Sequence, residues 1–140
     1  MSAVDFFDSN VLIYLFDVRD PRRSGIAEAL LAHANQHHTV TISFQVVQET
    51  LNVLTRKLKP ALNAVDASKA LNDVLVPLWR IHPSPALYAR ALQVQAGEGF
   101  SFYDSLIVAA ALEGGCKRLL SEDLQHGRKI GGLRIENPFR

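Results

Sequence analysis

The chain has 140 residues, which is the usual size of one folded domain and is enough to bury a hydrophobic core. Hydrophobic residues make up 48% of it, which excludes an intrinsically disordered protein, and a net charge of +1 does not by itself indicate nucleic-acid binding. The single cysteine excludes an intramolecular disulfide. The chain has no apolar run long enough to span a membrane, and its N-terminus lacks the basic residues of a secretory signal, so we expect a cytoplasmic protein.

Strand patterns alternate with helix patterns along the first half of the chain. An apolar run that ends on Asp8 predicts the first strand, and a helix is predicted to follow over residues 11–16. Ser24 is the predicted N-cap of the second helix, and the β-branched alternation of residues 39–44 predicts the second strand. A stripe of apolar residues at helical spacing predicts the third helix, and its members are Val47, Leu51, Leu54 and Leu58.

The second half continues this alternation. Asp66 is predicted to cap a fourth helix, residues 77–81 to form a strand, and Ser84 to begin the next helix. Residues 102–112 are apolar on nearly every face, which predicts a helix buried in the centre of the domain. The remaining elements are a strand over 116–121, a polar loop over 122–132 and a last edge strand over 133–135. The alternation is typical of an α/β domain with a mainly parallel sheet, and no linker divides residues 1–140.

Four acidic residues stand at the predicted carboxyl edge of that sheet. Two follow strands and two lie in the first turns of helices, and the four are Asp8, Glu49, Asp104 and Asp123. Because ligands of such sheets bind where the strands end, we expect these side chains to converge. Clustered carboxylates cannot all stay ionised without a cation, and an all-oxygen ligand set suits Mg²⁺ or Mn²⁺. Such an ion activates water and offsets charge on a phosphodiester.

Each acid also has a purely structural explanation. Asp8 can cap the helix that starts near Asn10, and residues 101–104 have the form of a capping box. Glu49 can be a solvated helix residue, and Asp123 an ordinary turn former. For any single acid the structural explanation is the better one, so the functional hypothesis rests on the four together.

Four segments carry a resemblance to a known family, and they are residues 7–14, 43–51, 102–111 and 119–124. In order and spacing they resemble the motifs of PIN-domain ribonucleases, close to the toxin subunits of VapBC-type toxin–antitoxin pairs. The resemblance implies a Rossmann-like, three-layer PIN domain over residues 1–140, with a mainly parallel central sheet flanked by helices. It also implies an Mg²⁺- or Mn²⁺-dependent endoribonuclease that hydrolyses RNA by metal-activated water.

The resemblance assigns catalytic and metal-binding roles to four residues, which are Asp8, Glu49, Asp104 and Asp123. It gives Asn10 and Ser121 a supporting role. Glu122 directly precedes the fourth acid, and we prefer Asp123 because it stands two residues after Ser121, where the family pattern places it.

Partners follow from the same resemblance: an RNA substrate, a cognate antitoxin protein and a second copy of the chain in a homodimer, with no membrane. Apolar helix residues can form the homodimer face or receive an antitoxin segment, with burial in the core as the alternative; they are Tyr14, Phe16, Leu51, Leu54 and Leu58. Two basic pairs are candidate guides for RNA, and they are Arg22 with Arg23 and Arg128 with Lys129.

Other functions stay open at this point. His33 and His37 have a spacing that can hold zinc, but without a third ligand we expect a solvated helix end. A housekeeping PIN nuclease that acts in RNA processing would share the same acids and lack an antitoxin. A non-catalytic module whose acidic pocket receives a basic peptide is the alternative from a different class.

Overall fold

A six-stranded sheet organises the structure, a computed structural model that describes residues 4–140. The strands are β1 (Asp5–Phe7), β2 (Val40–Ser43), β3 (Trp79–Ile81), β4 (Arg118–Leu120), β5 (Lys129–Ile130) and β6 (Leu133–Glu136). They lie in the order β3-β2-β1-β4-β6-β5. Each neighbouring pair is parallel except β5 and β6, which are antiparallel.

Helices connect the strands and flank the sheet. They are α1 (Ser9–Ile13), α2 (Pro21–His37), α3 (Phe44–Arg56), α4 (Ala64–Ala70), α5 (Val76–Leu78), α6 (Pro85–Glu98) and α7 (Phe102–Glu113). A 3₁₀ turn at Tyr14–Phe16 extends α1, and a π-helical turn at Leu71–Leu75 joins α4 to α5. No helix within residues 4–140 combines the length and apolar character that crossing a membrane requires. The predicted α/β fold with a mainly parallel sheet is confirmed.

The hydrophobic core lies around the central strands β1 and β4. Phe6 and Leu119 are paired in register on these strands and both are fully buried. Residues 105–111 of α7 are all buried, so the apolar helix lies where its composition predicts. Because the core fixes β1, β4 and α7, it also fixes the ends of these elements at the carboxyl edge.

Two predicted N-caps are wrong. α2 begins at Pro21, and Asp20 rather than Ser24 accepts its capping hydrogen bond at 3.1 Å. Proline suits that first turn because the N–H it lacks would have no intrahelical partner there. α4 is capped by Asn63, whose Oδ1 accepts from the backbone N–H of Asp66 at 2.8 Å, so Asp66 lies inside the first turn.

Two strand predictions also need correction. The predicted strand over 77–81 is only Trp79–Ile81, because Pro77 lies in the first turn of the short helix α5, where its missing N–H is tolerated. The last strand, predicted at the edge, lies between β4 and β5. The outer position belongs to Lys129–Ile130, which lies inside the predicted loop 122–132.

Leu119→Ala should lower the free energy of unfolding by about 2–5 kcal/mol, because it removes a fully buried side chain from β4 and leaves a cavity. Val65→Ala is the control, since Val65 is exposed and its truncation should change that free energy by less than about 0.5 kcal/mol. Urea unfolding followed by circular dichroism measures both variants. Equal stability of the two variants would contradict the central position of β4.

Candidate functional site

The structure brings the four predicted acids to one edge of the sheet. Asp8 directly follows β1 and Asp123 follows the parallel neighbour β4, while Glu49 and Asp104 lie near the starts of α3 and α7. Burial is the largest cause that raises the pKa values of Asp8 and Glu49. The charges of Asp123 and Asp104 add to it at Asp8, and those of Asp8, Asp104 and Asp123 add to it at Glu49. We call these four side chains the carboxylate site.

Asp8 is the most buried member, with 7% of its surface exposed. Its Oδ1 accepts a hydrogen bond from the backbone N–H of Ser9 at 2.7 Å, so the residue does cap α1. Its Oδ2 accepts from the hydroxyl of Ser121, also at 2.7 Å. Burial, together with the charges of the neighbouring acids, outweighs these two bonds and raises the pKa of Asp8 to about 6. Capping therefore does not compensate the charge of this carboxylate.

Glu49 is half-buried on α3, and its Oε1 is buried without a hydrogen-bond partner. Burial is the largest cause that raises the pKa of Glu49 to about 7, and the charge of Asp8 is the second; a hydrogen bond with the side chain of Gln45 acts in the opposite direction. An acceptor buried in this way costs about 1–3 kcal/mol unless a proton, a water molecule or a cation reaches it. The solvated-helix explanation of Glu49 therefore does not fit its position.

Asp104 and Asp123 are exposed. Ser101 caps α7, because its Oγ accepts from the backbone N–H of Asp104 at 3.2 Å. This is only half of a capping box: within residues 4–140 the carboxylate of Asp104 accepts no hydrogen bond. The charge of Asp104 is therefore available to a ligand.

The neighbours of Glu122 and Asp123 distinguish these two adjacent acids. Glu122 accepts from the hydroxyl of Tyr14 at 2.5 Å and from Nε of Arg23 at 2.7 Å, which occupy both of its carboxylate oxygens. Asp123 instead accepts from Nδ2 of Asn10 at 3.0 Å. These contacts favour Asp123 as the fourth member of the carboxylate site.

Asn10 and Ser121 hold this corner in place. Asn10 donates to Asp123, and its Oδ1 accepts from the backbone N–H of Glu122 at 3.2 Å. The hydroxyl oxygen of Ser121 accepts from the backbone N–H of Asp123 at 3.2 Å while its hydrogen goes to Asp8. Two neutral side chains thus link the end of β1 to the turn after β4.

The donor chemistry of the carboxylate site fits a hard divalent cation. All four charged groups are oxygen donors, and an unpartnered buried oxygen of Glu49 lies among them. As the side chains lie, however, no three His, Cys, Asp or Glu residues in the described part of the chain are close enough to hold an ion. Binding would therefore require some of these side chains to move closer together.

Most of the predicted RNA guides are engaged elsewhere. Nη2 of Arg22 donates to the carbonyl of Phe139, and Nη2 of Arg128 donates to the backbone of Glu98. Arg23 lies beside the site but bonds to Glu122, as described above, and to Asp20 at 3.0 Å. Lys129 is exposed on β5, the outermost strand. His33 and His37 pack ring against ring with centroids 4.2 Å apart.

The predicted apolar docking residues mostly contribute to hydrophobic clusters. Leu54 and Leu58 are buried, and Phe16 packs against them partly buried. Tyr14 and Leu51 pack, partly buried, against the main core. Core packing is thus the better explanation of these side chains, and the homodimer stays a prediction.

Sequence reasoning missed one buried polar residue next to the site. Gln45 is 4% exposed and lies one helical turn before Glu49 on α3. Its position four residues before a candidate ligand is the signal that could have found it, since such residues share a helix face.

The family assignment rests on a match that covers most of the chain. Residues 6–130 match the model of the PIN domain. The chain belongs to the PIN domain family. The order of its motifs and the edge of the sheet at which its acids meet agree with that assignment. No curated protein gives a significant match.

Solved structures share this PIN fold. VapC20 of Mycobacterium tuberculosis, a sarcin-ricin loop cleaving toxin, is 23% identical with a TM-score of 0.64, over 85% of this chain and 89% of that chain. VapBC2 from Rickettsia felis, bound to a DNA fragment from its promoter, is 17% identical with a TM-score of 0.65, over 96% and 98%. FitAcB from Neisseria gonorrhoeae is 18% identical with a TM-score of 0.63, over 97% and 99%. At these identities the likeness shows a shared fold.

In a metal chelator, the free energy of unfolding should fall as the pH rises from about 5 to about 7, because the native state keeps protons on Asp8 and Glu49 that the unfolded chain has lost. For the buried Asp8, whose pKa moves from 3.8 to about 6, the whole loss from acid to neutral pH is about 3 kcal/mol, and about 1 kcal/mol of it falls between about pH 5 and about pH 7. Asp8→Asn should flatten this slope and be more stable than the wild type at about pH 8. Urea unfolding at each pH measures the effect.

Asp73→Asn is the matched control for this experiment, because Asp73 is exposed and lies on the π-helical turn away from the site. It should keep the wild-type slope. A slope that is the same in Asp8→Asn and in the wild type would contradict the raised pKa of Asp8.

Proposed function

We propose that this PIN domain is a metal-dependent endoribonuclease and the toxin of a toxin–antitoxin pair. The observation that carries the proposal is the carboxylate site itself: four acids share one edge, and their charges add to burial in raising the pKa values of Asp8 and Glu49. Arg23, the cation beside the site, is bound to Glu122 and Asp20 instead. The site therefore has a net negative charge that a divalent cation would compensate.

The metal ligands in this proposal are Asp8, Glu49, Asp104 and Asp123. A bound Mg²⁺ or Mn²⁺ would supply a nucleophile by lowering the pKa of water and would offset charge on the phosphodiester. In the free protein Asp8 is partly protonated near about pH 6 and Glu49 near about pH 7, and both would release these protons when the cation binds. Ser9 and Ser121 orient the two oxygens of Asp8, and Asn10 orients Asp123, so the chain fixes two of the four ligands in advance.

RNA is the proposed substrate, and the fold of VapC20, described as cleaving the sarcin-ricin loop, supports it. A protein antitoxin is the proposed partner, and it is supported by the likeness to chains of the VapBC2 and FitAcB complexes. A housekeeping PIN nuclease would use the same four acids without an antitoxin.

A non-catalytic binding module is the second candidate, and one observation favours it. The acids of the described chain do not form a closed ligand set as they lie, so the pocket could instead receive a basic peptide. In that case Mn²⁺ would neither raise the melting temperature nor enable cleavage. The following experiment distinguishes the two candidates.

Asp8→Asn and Asp104→Asn should each reduce RNA cleavage to the background rate, because each removes a negative ligand from the cation while the fold stays intact. The assay follows a fluorescent single-stranded RNA in Mg²⁺, in Mn²⁺ and in a chelator, and circular dichroism checks the fold. Asp73→Asn should cleave at the wild-type rate, because Asp73 is exposed on the π-helical turn and is not among the charges that act on Asp8 or Glu49. Undiminished cleavage by either site variant contradicts the proposal. A wild type that cleaves no RNA, whether or not Mg²⁺ or Mn²⁺ is added, favours the binding module.

The same assay separates the two neighbouring acids. Asp123→Asn should lose most of the activity, whereas Glu122→Gln should stay within about tenfold of the wild type, because Glu122 is bound by Tyr14 and Arg23 rather than facing the site. The reverse order of effects would assign the fourth corner to Glu122.

A further inference from the structure

Gln45 joins the two helices that carry Glu49 and Asp104. It lies on α3 one turn before Glu49, and its Nε2 donates a hydrogen bond to the backbone carbonyl of Tyr103 at 3.0 Å. Tyr103 directly precedes Asp104 in the first turn of α7. Of the side-chain hydrogen bonds within residues 4–140, this is the one that connects α3 with α7.

The bond matters for Asp104 because little else holds that side chain. Its carboxylate is exposed and accepts no hydrogen bond in the described part of the chain, so its position depends on the backbone of the first turn of α7. The first turn of a helix is also where fraying begins. A buried amide that holds the carbonyl before Asp104 therefore restrains the direction in which Asp104 points.

Unpartnered polar atoms gather at the same place. Four buried side-chain atoms lack a hydrogen-bond partner in the described residues, and they belong to Gln45, Glu49, Thr50 and Ser105. Three lie on α3 and the fourth directly follows Asp104 on α7. Gln45 donates from Nε2 to Tyr103, and a hydrogen bond with its side chain also acts on Glu49 one turn along the same helix, while its Oε1 has no partner in the described residues. An amide oxygen suits the same hard cations as a carboxylate.

We propose that Gln45 is a positioning residue of the carboxylate site, which holds Asp104 at the correct separation from Glu49 and thereby sets the affinity for the divalent cation. The inference rests on the proposed function, because it concerns the cation of that site. Gln45 acts on the separation of two ligands, as the outer partners of metal ligands do in other proteins.

The test is Gln45→Met, which keeps the length of the side chain and removes both the donor and the acceptor. Gln48→Met is the matched control, because Gln48 lies on the same helix, next to Glu49, and is exposed. MnCl₂ is titrated against both variants and the wild type, with heat of binding and melting temperature as readouts. The Mn²⁺ concentration that gives half-maximal RNA cleavage is measured separately.

Gln45→Met should need about tenfold more Mn²⁺ for half-saturation in both titrations. Its kcat at saturating Mn²⁺ should stay within about threefold of the wild type, since the ligands themselves are unchanged. Gln48→Met should match the wild type. A purely structural role of Gln45 would lower the melting temperature without metal and leave the half-saturating concentration unchanged, and that result overturns the inference.

Gln45→Asn covers the case in which the methionine variant does not fold, because it keeps the amide but is one methylene too short to reach Tyr103. It should show the same weakening of Mn²⁺ binding. If the wild type itself binds no Mn²⁺, the proposed function fails. If the wild type binds Mn²⁺ and both Gln45 variants bind it equally well, only the role of Gln45 fails.

Discussion

Asp8 carries a carboxylate that is 7% exposed at the end of β1, and a charge in such a position must be compensated by neighbouring groups. The groups that contact it are neutral: the backbone N–H of Ser9 and the hydroxyl of Ser121. Burial is the largest cause that raises its pKa, to about 6 despite both hydrogen bonds, and the charges of Asp123 and Asp104 act in the same direction. The arrangement is therefore more stable with a proton or a cation on the site, and the proposed metal chemistry follows from that requirement.

The fold supplies this crowding through strand direction. Because β1 and β4 are parallel neighbours, their carboxyl ends bring Asp8 and the turn with Asp123 together, and Asn10 and Ser121 connect the two segments. Asp8 caps α1 and also belongs to the carboxylate site. A change at this residue should therefore affect local structure and charge together, and this is why stability and metal binding are measured separately.

The sequence predicted the features that depend on local pattern. The alternation of strands and helices gave the mainly parallel sheet, and the acids at strand ends gave the carboxylate site. The contacts of Gln45 with Tyr103 and of Glu122 with Arg23 join segments 58 and 99 residues apart, so no local pattern encodes them. The same holds for the interior position of β6, because strand order depends on tertiary packing. At α2, Pro21 outweighed the signal from Ser24.

Proton release on Mn²⁺ binding tests the central claim, that the carboxylate site exchanges protons for a divalent cation. Isothermal titration calorimetry in buffers of different ionisation enthalpy counts these protons. The wild type should release protons at about pH 6.5, where Asp8 and Glu49 still hold part of theirs, and almost none at about pH 8. Absence of Mn²⁺ binding, or binding whose proton release is the same at both pH values, would contradict the account.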